Sequence, residues 1–136
     1  NMENYFVLTE MGTDLAWDGN DGANKPAFNQ YTTAMNSANG IVAQFWSNNY
    51  NGINRANTAI MYLPQVPGMT DDLKSQRKAE LLFMRAYYYF DLVQHFGAIP
   101  LVTKGNVSEI VTDFKRNPES DRYKKIISDM KAADDG

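Results

Sequence analysis

The chain has 136 residues, of which 43% are hydrophobic and 21% charged, with a formal net charge of −3 and no cysteine. That composition is ordinary for a globular protein, and the absence of a basic block argues against a nucleic-acid partner. Without thiols there are no disulfides, no thiolate catalysis and no zinc–thiolate site, and no stretch approaches the ~18 apolar residues of a membrane span.

A chain of this length removes roughly two thirds of its unfolded surface from water as one domain, so residues 1–136 are expected to form a single helical domain. Residues 1–11, NMENYFVLTEM, read as a helix with Tyr5, Leu8 and Met11 near one face, stopped by Gly12. Residues 12–40 are rich in Gly, Asn, Asp and Ser with single aromatics scattered through them, a long irregular loop of the kind that is usually functional or disordered. From 41 to 63, Ile53, Ala56, Ile60 and Leu63 recur at helical spacing, with Phe45, Trp46 and Tyr50 before them. PQVPGM, 64–69, breaks the helix.

Thr70 is a good N-cap, with Asp71 and Asp72 in the favourable first turn. The helix it opens should run to His95 or Phe96, roughly 39 Å at ~1.5 Å per residue. Ala79, Ala86, Phe90 and Val93 form one stripe, with Leu82, Tyr89 and Phe96 beside it. Gly97 ends this helix, Ile99-Pro100 must be extended, and PLV is long enough for at most a very short strand. After a loop over 105–116, Asn117 is the expected N-cap, with Pro118 at the first helical position and Glu119 in the first turn. Tyr123, Ile126, Ile127 and Met130 then share a face, with Lys124, Lys125, Asp129 and Lys131 mostly away from it.

The expected fold class is all-α, built from antiparallel helical hairpins of tetratricopeptide type. The pair 41–63 and 71–96 supplies an Ala86-x-x-x-Phe90 step followed by a proline. One such unit cannot bury its own apolar faces, and 118–133 reads as the first half of another, so the chain is expected to be part of something longer.

The segment AELLFMRAYYYFDLVQHFGAIPLVTK, 79–104, resembles the signature of the SusD/RagB family of outer-membrane nutrient-binding lipoproteins. The resemblance rests on Glu80, Arg85-Ala86, Tyr88-Tyr89-Phe90, Leu92-Val93, Phe96-Gly97 and Ile99-Pro100-Leu101-Val102. Two further segments support it: WSNNYNGINRANTAI, through Trp46, Tyr50, Ile53, Ala56 and Asn57, and YKKIISDMKAA, with Met130 at the family's leucine. The three occur in the family's order across residues 46–133. The resemblance implies an N-terminal portion of a longer protein, with a secretion signal and lipidated cysteine upstream and further helical repeats downstream. It also implies capture of glycan outside the cell and delivery to a TonB-dependent (SusC-like) outer-membrane transporter, without enzymatic activity or cofactor.

Several features invite other readings. Three consecutive tyrosines point ~100° apart on a helix and cannot form one flat platform; they read as packing, with at least one buried and one near the surface. His95 lies four residues after Asp91, but no nucleophile stands at a readable spacing, so a local pair or C-terminal cap is expected rather than catalysis. Glu10, Asp14, Asp18 and Asp21 carry carboxylates that a glycosidase would need in a pair, yet acids in a solvated loop are common. DGNDG, 18–22, resembles a calcium loop but has glycine at the fifth position and Asn29 at the twelfth, so it fails as an EF-hand and reads as a turn, with no metal assigned. Asn54 and Asn57 are placed to bond loop backbone and hold the hairpin together.

Ligand contact is expected in the 12–40 loop. Sugar binding needs an aromatic face against the C–H side of the ring, with amides and carboxylates for its hydroxyls. Trp17, Asp18, Asn20 and Asp21 bring that chemistry within five residues, and Phe28 and Tyr31 add surface; a loop aromatic tucked onto the core is the alternative. The leading functional reading is a lipid-anchored cell-surface glycan-binding protein of an uptake system. The alternative from another class is a tetratricopeptide-type protein–protein scaffold, which the Phe-Gly-x-Ile-Pro-Leu-Val exit disfavours; a hydrolase has the least support.

Overall fold

The computed structural model describes residues 2–17, 26–105 and 118–135. Five helices follow one another among them: α1 (Met2–Thr9), α2 (Pro26–Gln30), α3 (Gly40–Tyr62), α4 (Asp71–Phe96) and α5 (Glu119–Asp134), with a 3-10 turn at Leu63–Gln65. No strand occurs among the described residues; a single isolated bridge joins Met11 and Ala16. The chain forms two compact units, 1–48 and 49–136.

In the first unit the core is Val7, Ala27 and Phe28, with Leu8, Met11, Ile41 and Val42 packed against it. Leu8 and Met11 thus meet the core as expected, but the most buried positions of α1 are Asn4 and Val7, and Tyr5 is not among them. Asn4 is buried and donates from Nδ2 to Gln44 Oε1 at 2.7 Å, while Tyr5 stays largely exposed with its ring 6.5 Å from that of Phe45. A polar residue takes the inner position because a partner amide satisfies it there. The 12–40 segment is also less irregular than its composition suggests. Pro26 starts α2, and Ala27 and Phe28 are buried, so Phe28 fills the core against Val7 rather than adding to a ligand surface. Asn39 caps α3: its Oδ1 accepts from Ile41 N at 3.0 Å and its Nδ2 donates to Ala34 O at 3.1 Å.

The second unit is a pair of helical hairpins. Gly52 faces Tyr88, and Asn57 bonds Arg85, so residue numbers rise along α3 as they fall along α4; the two are antiparallel. A Cβ at Gly52 would lie 2.5 Å from the Tyr88 ring, and its absence is what allows the close approach. In that register Ala56 stands opposite Ala86, and both are buried. The bulky end of the expected stripe behaves differently: Phe90 is 42% exposed, and Leu92 and Tyr89 fill the interior beside Ala86. Thr70 caps α4 as its sequence implies, accepting from Leu73 N at 3.3 Å, and Gly97 terminates it with φ 63°.

Beyond Gly97 the chain runs along the hairpin without forming a strand. Three side chains replace a β ladder. Tyr50 donates to Pro100 O at 2.8 Å, Asn57 Nδ2 to Val102 O at 2.7 Å, and the Tyr89 hydroxyl both donates to Val102 O and accepts from Val102 N at 2.7 Å. Ile99 is fully buried beneath them. The tyrosines, the asparagine and the Ile-Pro-Leu-Val exit thus work together: the extended segment satisfies its backbone on the helices it covers.

Helix α5 packs on α4, and the amphipathic reading holds only in part: Ile126 is buried and Tyr123 and Met130 half-buried, but Ile127 and Asp129 depart from it. Its inward residues are Arg122, Ile126 and Asp129, whereas Ile127 is 51% exposed. The burial of Asp129 follows from Arg85 across the interface, whose Nε and Nη2 donate to its two oxygens at 2.8 Å each. Lys125 adds a third contact at 2.8 Å, and Arg85 Nη1 donates to Asn57 Oδ1 at 2.8 Å. Pro118 is the N-cap of α5 rather than its first residue, and its carbonyl accepts from Asp121 N at 3.1 Å. The expected cap at Asn117 lies outside the described residues.

Candidate functional site

The first unit carries the sequence-derived ligand residues. Helix α1 ends at Thr9 because a tight turn follows. Thr13 Oγ1 donates to Glu10 O at 2.7 Å and accepts from Leu15 N at 3.3 Å, and the Met11–Ala16 bridge closes the turn. Gly12 sits inside it with φ 79°, a left-handed conformation that suits glycine. Trp17 immediately follows and is 71% exposed; Leu15 at the tip is 85% exposed. The indole therefore does not tuck onto the core of its unit.

Tyr31 reaches the same turn from the end of α2. It is 65% exposed, and its hydroxyl donates to Gly12 O at 3.0 Å. Trp17 and Tyr31 are thus brought to the same loop cluster, one directly after the turn and one bonded to it. Asp18, Asn20 and Asp21 lie outside the described residues, as does the DGNDG sequence. Chemically, the described part offers two exposed aromatic surfaces and little charge, with Asp14 exposed at the turn. That suits stacking against an apolar ring face. Among the described residues there is no group of three or more His, Cys, Asp or Glu side chains able to hold a metal ion.

The competing features resolve into scaffold. Of the three tyrosines, Tyr89 is fully buried, Tyr88 half-buried against Gly52, and Tyr87 exposed. Burial pushes the Tyr89 hydroxyl up to about 12, and burial with the neighbouring Tyr89 raises Tyr50 further still. Both phenols are hydrogen-bond donors held neutral, not acids. His95 Nδ1 lies 2.7 Å from the backbone carbonyl oxygen of Asp91, a local side chain–backbone contact one turn back along α4. Burial raises the Asp91 carboxyl, with the nearby His95 acting in the opposite direction. Sequence reading missed the Arg85–Asp129–Asn57 network, because its members are separated by 28 and 44 residues. No local signal marked it, since hydropathy places Asp129 away from the apolar face of α5.

Among the described residues no helix is long and apolar enough to cross a membrane. A SusD-like family model described as "starch-binding associating with outer membrane" matches residues 2–135. The chain is 33% identical over 125 residues to SusD-like protein P2 of Formosa agariphila, covering 88% of this chain and 23% of that protein. Two solved structures are similar. A laminarin-binding SusD-like protein superposes with a TM-score of 0.75 at 30% identity, over 96% of this chain and 28% of the other. A SusD superfamily protein from Parabacteroides distasonis gives a TM-score of 0.80 at 26% identity, over 99% and 27%. The chain thus spans about a quarter of the length of these relatives. With three ordered motifs, an antiparallel helical fold and a model match over nearly every residue, the chain belongs to the SusD-like family.

Proposed function

We propose that the full-length protein carrying this chain binds polysaccharide or oligosaccharide at the cell surface and delivers it to a TonB-dependent, SusC-like transporter in the outer membrane. It does so as a binding protein, without turning the glycan over. Membrane association in this reading comes from a lipid anchor outside this chain. The observation that carries the reading is the likeness, over 96% of the chain, to a protein that binds laminarin, together with the family's starch-binding description.

Within this chain the proposed contact is the 12–40 segment. Trp17 offers its indole face to a sugar ring, with Asp18, Asn20 and Asp21 bonding hydroxyls at the ring edge and Tyr31 extending the aromatic surface. The exposure of Trp17 supports this assignment, since a buried indole has no free face. The test is a calorimetric titration of the full-length protein with laminarin and starch oligosaccharides. Trp17→Ala should lose about 1–3 kcal/mol, by analogy with stacking on nucleobases, which is roughly a tenfold to hundredfold rise in Kd. Tyr88→Ala should lower stability and leave the affinity of the folded fraction unchanged. Undiminished affinity in a folded Trp17→Ala protein removes the site from this segment.

A further inference from the structure

The residue after α2 should be glycine, and it is tyrosine. Thr32 N donates to Ala27 O at 3.2 Å, the six-to-one bond of a Schellman helix ending. That ending needs a left-handed residue just past the helix, and Tyr31 adopts it with φ 50°, the sole non-glycine with positive φ among the described residues. A bulky L-residue there is uncommon and strained, and such strain persists where something else holds the residue in place. What the side chain gains is the bond from its hydroxyl to Gly12 O at 3.0 Å.

The other half of the contact is equally restrictive. A Cβ at Gly12 would lie 2.5 Å from Phe28 O, 2.8 Å from the Tyr31 hydroxyl and 3.0 Å from the Tyr31 ring, at a φ of 79° that side chains rarely adopt. The turn is therefore pressed onto the C-terminal end of α2 and bonded there. Trp17 leaves this turn directly after the Met11–Ala16 bridge. With an indole 71% exposed, side-chain packing does little to orient it, so its direction comes from its backbone.

We propose that Gly12 and Tyr31 form a clasp that positions Trp17. Tyr31 is then a positioning residue whose hydroxyl is committed to the turn, and the clasp pre-organises the indole so that a ring stacking on it orders less of the protein on binding. This rests on the reading of Trp17 as the ligand contact, but its geometric part is tested without ligand.

The experiment is fluorine NMR on the full-length protein labelled with 5-fluorotryptophan, the Trp17 resonance being identified by its loss in Trp17→Phe. Tyr31→Phe deletes only the hydroxyl, and Tyr31→Gly supplies the residue the helix ending prefers. Both should shift or broaden the Trp17 resonance and leave the other resonances in place. Tyr31→Gly should do so with an unchanged or raised unfolding midpoint, an outcome that a purely stabilising role for Tyr31 does not allow. Glycan Kd should rise about two- to tenfold in Tyr31→Phe, the effect of one hydrogen bond. An unchanged Trp17 resonance in both Tyr31 variants overturns the clasp. A changed resonance with unaltered glycan affinity upholds the clasp and overturns Trp17 as ligand contact.

Discussion

Removing Asp129 should be the most damaging single truncation at the α4–α5 contact, and the structure gives the reason. The Arg85 and Asp129 side chains retain only 6% and 3% of their exposure. Asp129→Ala takes both carboxylate bonds from the guanidinium, which is left in the interior with the Asn57 amide oxygen as its remaining partner. An uncompensated buried charge of this kind costs about 3–5 kcal/mol, a large share of the 5–15 kcal/mol that holds a typical domain together. Arg85→Met should cost less, because Asp129 keeps Lys125 at 2.8 Å. The double variant Arg85→Met/Asp129→Leu removes both charges and mainly leaves Asn57 Oδ1 without its donor, about 1–3 kcal/mol. Equilibrium urea unfolding of the four proteins in the cycle, with circular dichroism to verify helicity, measures the coupling. A cost under about 1 kcal/mol for Asp129→Ala, or a double variant that loses as much as the two single variants combined, would refute a buried, coupled pair.

Ala86 stands in the α3–α4 contact opposite Ala56 with no exposure, so Ala86→Leu should overpack it and cost about 1–3 kcal/mol in the same unfolding assay; an unchanged midpoint would refute the pairing. Tyr89→Phe should cost about 1–3 kcal/mol by stranding Val102 N, while Val102 O keeps the Asn57 amide at 2.7 Å, read by thermal or urea unfolding. The pH dependence follows from the same residue. Its folded pKa of about 12 lies above the ordinary 10, so the native state holds the proton more tightly. The stability this gives is fully present below pH 10 and is lost as pH rises from 10 through 12. Alkaline unfolding midpoints between pH 9 and 12 should therefore fall less steeply in Tyr89→Phe; an identical slope would show that Tyr89 does not contribute.

The local signals in the sequence were sufficient wherever a residue's role is set by its neighbours along the chain. Thr70 caps α4 because its hydroxyl reaches a backbone amide three residues on, and Gly97 ends the helix because it tolerates a positive φ. Helix α3 and the 71–96 helix were legible from apolar spacing, as was the antiparallel hairpin from the small residues Ala56 and Ala86. That at least one of the three tyrosines would be buried and one near the surface followed from helical geometry; that Tyr89 is the buried one did not. Helix α2 was not legible, since five residues carry too little periodicity, and its place depends on Ala27 and Phe28 finding the core with Val7. Nor was the inner face of α5. Hydropathy assigns Asp129 to solvent, and only Arg85, 44 residues away, makes its burial favourable. Around the candidate site the chemistry of Trp17 could be read from the sequence, but the direction in which it is offered could not. That is decided by Tyr31, whose hydroxyl meets the Gly12 carbonyl across 19 residues, because hydrogen bonds between distant segments exist only once the backbone has brought them together.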